Sequence, residues 1–241
     1  MSSAGPLAGR VAIVTGASRG IGAAAAVALA AAGAQLVLVG RTSGGLEETD
    51  DAIRRAVPDR KDGATLVPMD LTDGSMIDQL GAAVHERFGR LDVLVGNAGV
   101  LGEFRPLAHY TPAIWDKVVN TNLTANWRLI RVMEPLLRQS DAGRAIFVTA
   151  GVATEPRSFW GPYAVSKAAL EMLAGIWAEE LRRTPVRINL IDPGIVRTRM
   201  RAQGFPGEDP EALPPPESVA GLFVELASPG CVRHGETLRA C

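Results

Sequence analysis

Val11-Ala12-Ile13-Val14-Thr15, followed by Gly16-Ala17-Ser18-Arg19-Gly20-Ile21-Gly22, is the stretch on which the fold of this 241-residue chain turns. A short apolar strand runs into a glycine-rich turn, and an alanine-rich segment with helical spacing follows at once. Glycines let the main chain turn sharply and approach a pyrophosphate, while the helix N-terminus offers free N–H groups and a positive dipole end. The spacing is GxxxGxG, not the GxGxxG of the general dinucleotide fingerprint. Glycine-rich turns after strands are common, so its place between the first strand and the first helix carries the inference.

Outward from this stretch the same alternation continues. Short β-branched runs lie at Val11–Thr15, Gln35–Gly40, Thr65–Met69, Val93–Gly96, Ala145–Thr149 and Arg187–Ile191, with a weak last one near Glu236–Ala240. Helical spacing fills 21–32, 44–57, 75–88, 112–138, 161–183 and 217–227. Apolar strands separated by helices predict a parallel sheet covered on both faces, an α/β doubly wound fold. No repeat or linker divides the chain, so residues 1–241 are expected to form a single domain. Gly204–Pro216 is too rich in Pro and Gly for a stable helix and is expected to be a mobile loop.

Composition narrows the function classes. At 47% hydrophobic and 21% charged the chain is globular rather than disordered. Aromatics are only 5%, so the core must come mainly from Ala, Val, Leu and Ile. A net charge of −1 gives no electrostatic reason to expect nucleic acid or an anionic membrane as partner. Cys231 and Cys241 have no metal-ligand spacing, His85, His109 and His234 are scattered and expected at the surface, and no metal is expected. The first ten residues lack a signal pattern and Ala23–Val39 is too broken for a membrane span, so a soluble, cytoplasmic protein is expected. Only three basic residues are lysines: Lys61, Lys117 and Lys167.

Four motifs, in order, carry a resemblance. Thr15–Gly22, Asn97-Ala98-Gly99, Tyr163-Ala164-Val165-Ser166-Lys167 and Pro193-Gly194 together resemble the short-chain dehydrogenase/reductase family over nearly the whole chain. The resemblance implies a Rossmann-type, NAD(P)-dependent oxidoreductase acting on a small carbonyl or alcohol substrate. It also implies a cofactor site at Gly16, Ser18, Arg19, Gly20, Ile21, Gly22, Arg41, Asp70, Leu71, Asn97, Ala98, Gly99, Pro193, Gly194, Ile195 and Thr198, with Tyr163 and Lys167 contributing. Where the family often has Asn, position 96 is Gly. Asp or Glu after the second strand suits the ribose diol of NAD, whereas Arg accommodates the 2′-phosphate of NADP. Arg41 stands there, with Arg19 as a second guanidinium, so NADP is expected over NAD. The alternative is that Arg41 merely opens a surface helix.

Tyr163 and Lys167 are four apart behind Gly161-Pro162, which places both on one helix face. A neighbouring ammonium is expected to lower the phenol's pKa and make Tyr163 the general acid/base. The resemblance assigns Lys167 to the nicotinamide ribose and Asn122 to a water in a proton relay. It also implies a Ser thirteen residues before the Tyr, but that position is Ala150, followed by Gly151. Thr149 would point to the other face of its strand, and Ser158 lies in the next loop. A backbone N–H or Ser158 substitutes, or the enzyme is weak. The other alternative is a dinucleotide-binding sensor or scaffold. Residues 199–216 are expected to form a substrate lid, with Met200 and Phe205 as apolar contacts and Leu101, Phe104, Phe159 and Trp160 as further wall. The apolar excess on 161–183 predicts a homodimer or homotetramer.

Overall fold

A computed structural model describes residues 5–59 and 62–240; Lys61, Cys241 and residues 1–4 lie outside the described residues. Seven strands form one parallel sheet: β1 (Val11–Thr15), β2 (Gln35–Gly40), β3 (Thr65–Pro68), β4 (Val93–Gly96), β5 (Arg144–Val148), β6 (Arg187–Asp192) and β7 (Thr237–Arg239). Their spatial order is β3-β2-β1-β4-β5-β6-β7. The order reverses between β1 and β4, and a crevice opens above their carboxyl ends, where this kind of sheet binds ligands.

Every residue of β1 is buried, as expected for a strand covered on both faces. Alternation sorts its side chains. Val11 and Ile13 join a core with α3 (Gly74–Phe88), α5 (Ala125–Leu137) and α6 (Gly161–Leu181). Ala12 and Val14 join a second core with α1 (Gly20–Ala31), α2 (Ser43–Ala56) and α8 (Ala220–Ala227). Phe147 and Phe223, fully buried in opposite layers, each contribute roughly 1.5–3 kcal/mol of burial free energy. Helix ends obey local chemistry. Asp73 caps α3 by accepting from the Ser75 N–H, and Gly89 closes that helix at φ +70.

Three expectations need correction. The single helix expected over 112–138 is α4 (Pro112–Val119) and α5, joined by a π-helical turn, Asn120–Thr124. The widened turn sets Asn122 inward, fully buried, where its side chain bonds a neighbouring loop. The expected loop 204–216 starts on the last residue of α7 (Arg199–Gly204) and continues through one-turn 3-10 helices at Pro210–Ala212 and Pro216–Val219. Arg197 pairs with Glu211 and Arg201 with Glu208. His234 is not a bare surface residue: Nδ1 accepts from the Ile188 N–H and Nε2 lies 2.8 Å from the Ala178 carbonyl. Half of the apolar excess of α6 is core, since Leu170, Ala174, Trp177 and Leu181 are buried, but Met172 and Ile176 remain 66% and 51% exposed.

Candidate active site

The glycine-rich turn is positioned by hydrogen bonds made below it. Thr15 Oγ1 donates to the Val95 carbonyl and accepts from the N–H groups of Asn97 and Ala98, tying the end of β1 to the end of β4. Asn97 Nδ2 donates to the Thr15 and Gly16 carbonyls. A Cβ on Gly22 would stand 2.3 Å from the Gly16 carbonyl oxygen, so only glycine lets α1 approach the strand this closely. Gly20 turns at φ +57, and only the Thr198 side chain lies within 4 Å of where a Cβ would be, which leaves bare main chain facing the crevice.

The crevice is a groove of about 730 Å³, a size suited to an organic cofactor. Gly16, Ser18, Arg19, Gly20, Ile21, Arg41, Asp70, Leu71, Asn97, Ala98, Gly99 and Thr198 line it. Gly22, Pro193, Gly194, Ile195, Tyr163 and Lys167 do not, although the last lies close behind Gly99. The lining also includes Thr42, next to Arg41, and Thr72, Lys117 and Arg199, the last three of which the sequence did not single out for it. Thr72 carried a faint signal, two residues after Asp70: its N–H and hydroxyl donate to Asp70 Oδ1. That N–H holds the Asp70 carboxyl below its ordinary value, and Arg41 adds to the effect. Position 96 is glycine for a packing reason, because a Cβ there would stand 2.3 Å from the Phe147 ring. The groove's bare glycines and cationic rim fit a dinucleotide.

Beyond Gly99 the catalytic candidates converge. A Cβ on Gly99 would be 3.4 Å from Asn122 Oδ1 and 3.8 Å from Lys167 Nζ. Asn122 Oδ1 accepts from the Val100 N–H, and its Nδ2 donates to the Val100 carbonyl and to Ser166 Oγ. The side chain therefore clamps the loop after β4 to α6. Lys167 Nζ is buried and donates to the Val148 carbonyl at 2.6 Å; it lies 5.9 Å from the centroid of the Tyr163 ring. Burial pushes the lysine down to about 8.

The expected lowering of the Tyr163 pKa is not found. Burial, reinforced by the nearby Asp192 carboxylate, pushes the phenol up to about 12. The ammonium that was to lower it is directed at a main-chain carbonyl instead. At neutral pH the phenol is fully protonated.

At the vacant serine position, Ala150 lies two residues beyond β5 with extended backbone, and Gly151–Ala153 forms one 3-10 turn. Thr149 Oγ1 donates to Glu171, so its hydroxyl is directed to α6, as strand alternation requires. Ser158 is exposed in the following loop. A Cβ on Gly151 would lie 3.4 Å from Asp192 Oδ2.

With this geometry in hand, comparison with known proteins is informative. The family model for short chain dehydrogenase matches residues 10–209. The oxidoreductase YciK of Escherichia coli (strain K12) is 36% identical over 217 residues, 90% of this chain and 85% of that protein. A short chain dehydrogenase from Pseudomonas syringae superposes with a TM-score of 0.94 at 38% identity, covering 100% of this chain and 98% of its own. Another, from Shigella flexneri and solved in complex with NADP, superposes with a TM-score of 0.93 at 34% identity, covering 99% of both chains. No helix among the described residues is long and apolar enough to cross a membrane.

Proposed function

The chain belongs to the short-chain dehydrogenase family, and from that premise we propose that it is an NADP(H)-dependent oxidoreductase interconverting a ketone and a secondary alcohol. The observation that carries this is the convergence of Asn122 and Lys167 at Gly99, the inner end of a glycine-lined groove, with Tyr163 one helical turn from the lysine. A scaffold protein would have no use for a buried lysine one helical turn from a phenol at that point.

Arg41 and Arg19 line the groove and would hold the 2′-phosphate, as guanidiniums suit a dianion. Asn97-Ala98-Gly99 would carry the adenosine ribose, Asp70 the adenine, and Pro193, Gly194, Ile195 and Thr198 the carboxamide. When bound, NADPH supplies the hydride.

The chain supplies the proton. Tyr163, protonated at neutral pH, stands as the general acid that ketone reduction requires at the carbonyl oxygen. Lys167, held near its titration point by burial, can take a proton from solvent and pass it on. Asn122 holds the loop and helix against which that transfer takes place. The oxyanion donor that Ala150 lacks must come from a main-chain N–H or from Ser158, or else the rate suffers.

Residues 199–216 would form the lid of this single domain. Trp127, Val165, Met172 and Ile176, all about half exposed or more on α5 and α6, support a homo-oligomer built on those helices. Light scattering is expected to give a multiple of 25.4 kDa, and a monomer mass would overturn that assembly. The experiment for the activity is oxidation of NADPH and NADH against a panel of ketones. NADPH oxidation that depends on ketone is expected; equal binding of both cofactors would overturn the role of Arg41.

A further inference from the structure

The chain has six Phe, four Trp and two Tyr, and half of these twelve stand in one place. Phe104, Tyr110, Phe159, Trp160, Tyr163 and Phe205 come from three separate segments and meet at the start of α6. Ring centroids are 4.7 Å apart for Phe104 and Trp160, 5.8 Å for Phe104 and Phe205, and 6.0 Å for Trp160 and Phe205. Trp160 in turn lies 5.9 Å from the Tyr163 ring. All four distances are those of interacting rings. None of these residues belongs to the buried core, and Phe104 is 37% exposed.

The frame around the rings is built rather than incidental. The Tyr110 hydroxyl lies 2.7 Å from the Glu103 carbonyl oxygen and 2.8 Å from that of Phe159, and it accepts from the Arg105 N–H. That stitch joins the loop carrying Phe104 to the loop carrying Trp160. It also anchors Phe159 at φ +74, a conformation that costs a side-chain-bearing residue roughly 1–3 kcal/mol. Two glycines make room. A Cβ on Gly161 would stand 2.5 Å from the Tyr110 ring, and one on Gly204 would stand 2.9 Å from Leu101 and 3.2 Å from Phe104.

The charges nearest the rings are spent within the protein. The Arg201 guanidinium lies over the Phe205 ring at 3.6 Å and pairs with Glu208, and Arg197 pairs with Glu211. The surface beside Tyr163 is therefore π surface whose stacked guanidinium is already neutralised by Glu208. A carboxylate-bearing substrate would find no partner among these guanidiniums, whereas a flat neutral ring would find three.

We propose that Phe104, Trp160 and Phe205 are the substrate-recognition wall of the Tyr163 site, and that the substrate is a carbonyl compound with an uncharged aromatic body. The proposal rests on the oxidoreductase assignment above and deepens it by naming the substrate class.

Acetophenone, 2-octanone and 4-acetylbenzoate test it, since they share a methyl ketone and differ in ring and charge. Binding of each to the protein loaded with NADP⁺ is read by calorimetry, which needs no turnover. NADPH oxidation is followed separately. Acetophenone is expected to bind about tenfold more tightly than the other two, the fold-change that one or two ring contacts supply. Phe205→Leu and Trp160→Leu should each remove most of that preference, and Phe205→Tyr should restore it, which loss of folding would not mimic. Equal binding of 2-octanone or 4-acetylbenzoate, an undiminished preference in Phe205→Leu, or no binding of any of the three overturns the wall. A ketone that binds but is never reduced overturns the oxidoreductase assignment and leaves the wall standing.

Discussion

The groove above β1 and β4 is lined largely by main chain, whereas the mouth around Tyr163 carries a cluster of rings with ion pairs beside it. In the groove, Gly16, Gly20 and Gly99 expose backbone and Thr15 and Asn97 hold it in place. At the mouth, the positions are set by side chains: Tyr110 between two carbonyls, Phe205 under Arg201, Gly204 against Phe104. A backbone site can serve every family member that uses the same dinucleotide. A site of side chains can change its substrate with a few substitutions, which is how one fold supports many activities.

The difference implies that the two ends can be damaged separately. Tyr163→Phe removes the proton at the mouth and touches nothing in the groove. Turnover should fall by about 10²–10⁴, the usual worth of a general acid, with the Kd for NADPH held. Steady-state kinetics beside cofactor titration would check this, and a variant that lost both together would break the separation.

Lys167 makes a prediction of the same kind in stability. Its pKa is about 8 in the folded protein against 10.5 for the free side chain. Below pH 8 both states carry the charge, and the fold bears the cost of burying it. Between pH 8 and 10.5 the unfolded chain holds a proton that the folded chain has released, so stability rises with pH by up to about 3 kcal/mol. Tyr163 acts with opposite sign between pH 10 and 12, where the folded chain keeps a proton the unfolded chain has lost. Thermal melts from pH 7 to 9.5 should therefore show Tm rising in the wild type and less so in Lys167→Met. Parallel profiles would contradict the burial of the ammonium.

The groove was legible in consecutive residues, whereas the mouth was legible only as a set of candidate wall residues, without the contacts among them. Thr15–Gly22 and Asn97-Ala98-Gly99 are read from consecutive residues because each position demands a particular backbone shape or a particular bond to its neighbour. Arg41 and Asp70 were legible from their places after β2 and β3, and the structure sets both on the groove. Phe104, Trp160 and Phe205 were expected along the substrate wall only through the family resemblance, since they lie about fifty residues apart in sequence and nothing local says that their rings meet. The Tyr163 pKa was misjudged for the same reason. Spacing shows the lysine four residues on, but the Val148 carbonyl that takes its ammonium and the Asp192 carboxylate arrive from β5 and β6. The π turn holding Asn122 was also hidden, since it depends on the loop that Asn122 binds.

Ala150→Ser sharpens the comparison at the mouth. If no other donor serves the carbonyl oxygen, the restored hydroxyl should raise turnover by up to about 10² without altering cofactor affinity. If Ser158 already serves, that substitution does little and Ser158→Ala is harmful. At the groove, Arg41→Asp should weaken NADPH by about tenfold or more, the worth of one charged hydrogen bond, and shift preference toward NADH. Fluorescence titration with both cofactors reads that effect, and an unchanged preference would leave Arg41 as no more than the start of α2.

The most direct test of the central claim follows the hydride itself. Wild-type protein is mixed with acetophenone and NADPH deuterated at C4 on one face or the other, and the alcohol is weighed by mass spectrometry. Deuterium on the carbinol carbon from one of the two faces, lost when Tyr163 is replaced by Phe, is the expected result. Unlabelled alcohol, or none with any ketone tried, would contradict an oxidoreductase built on Tyr163.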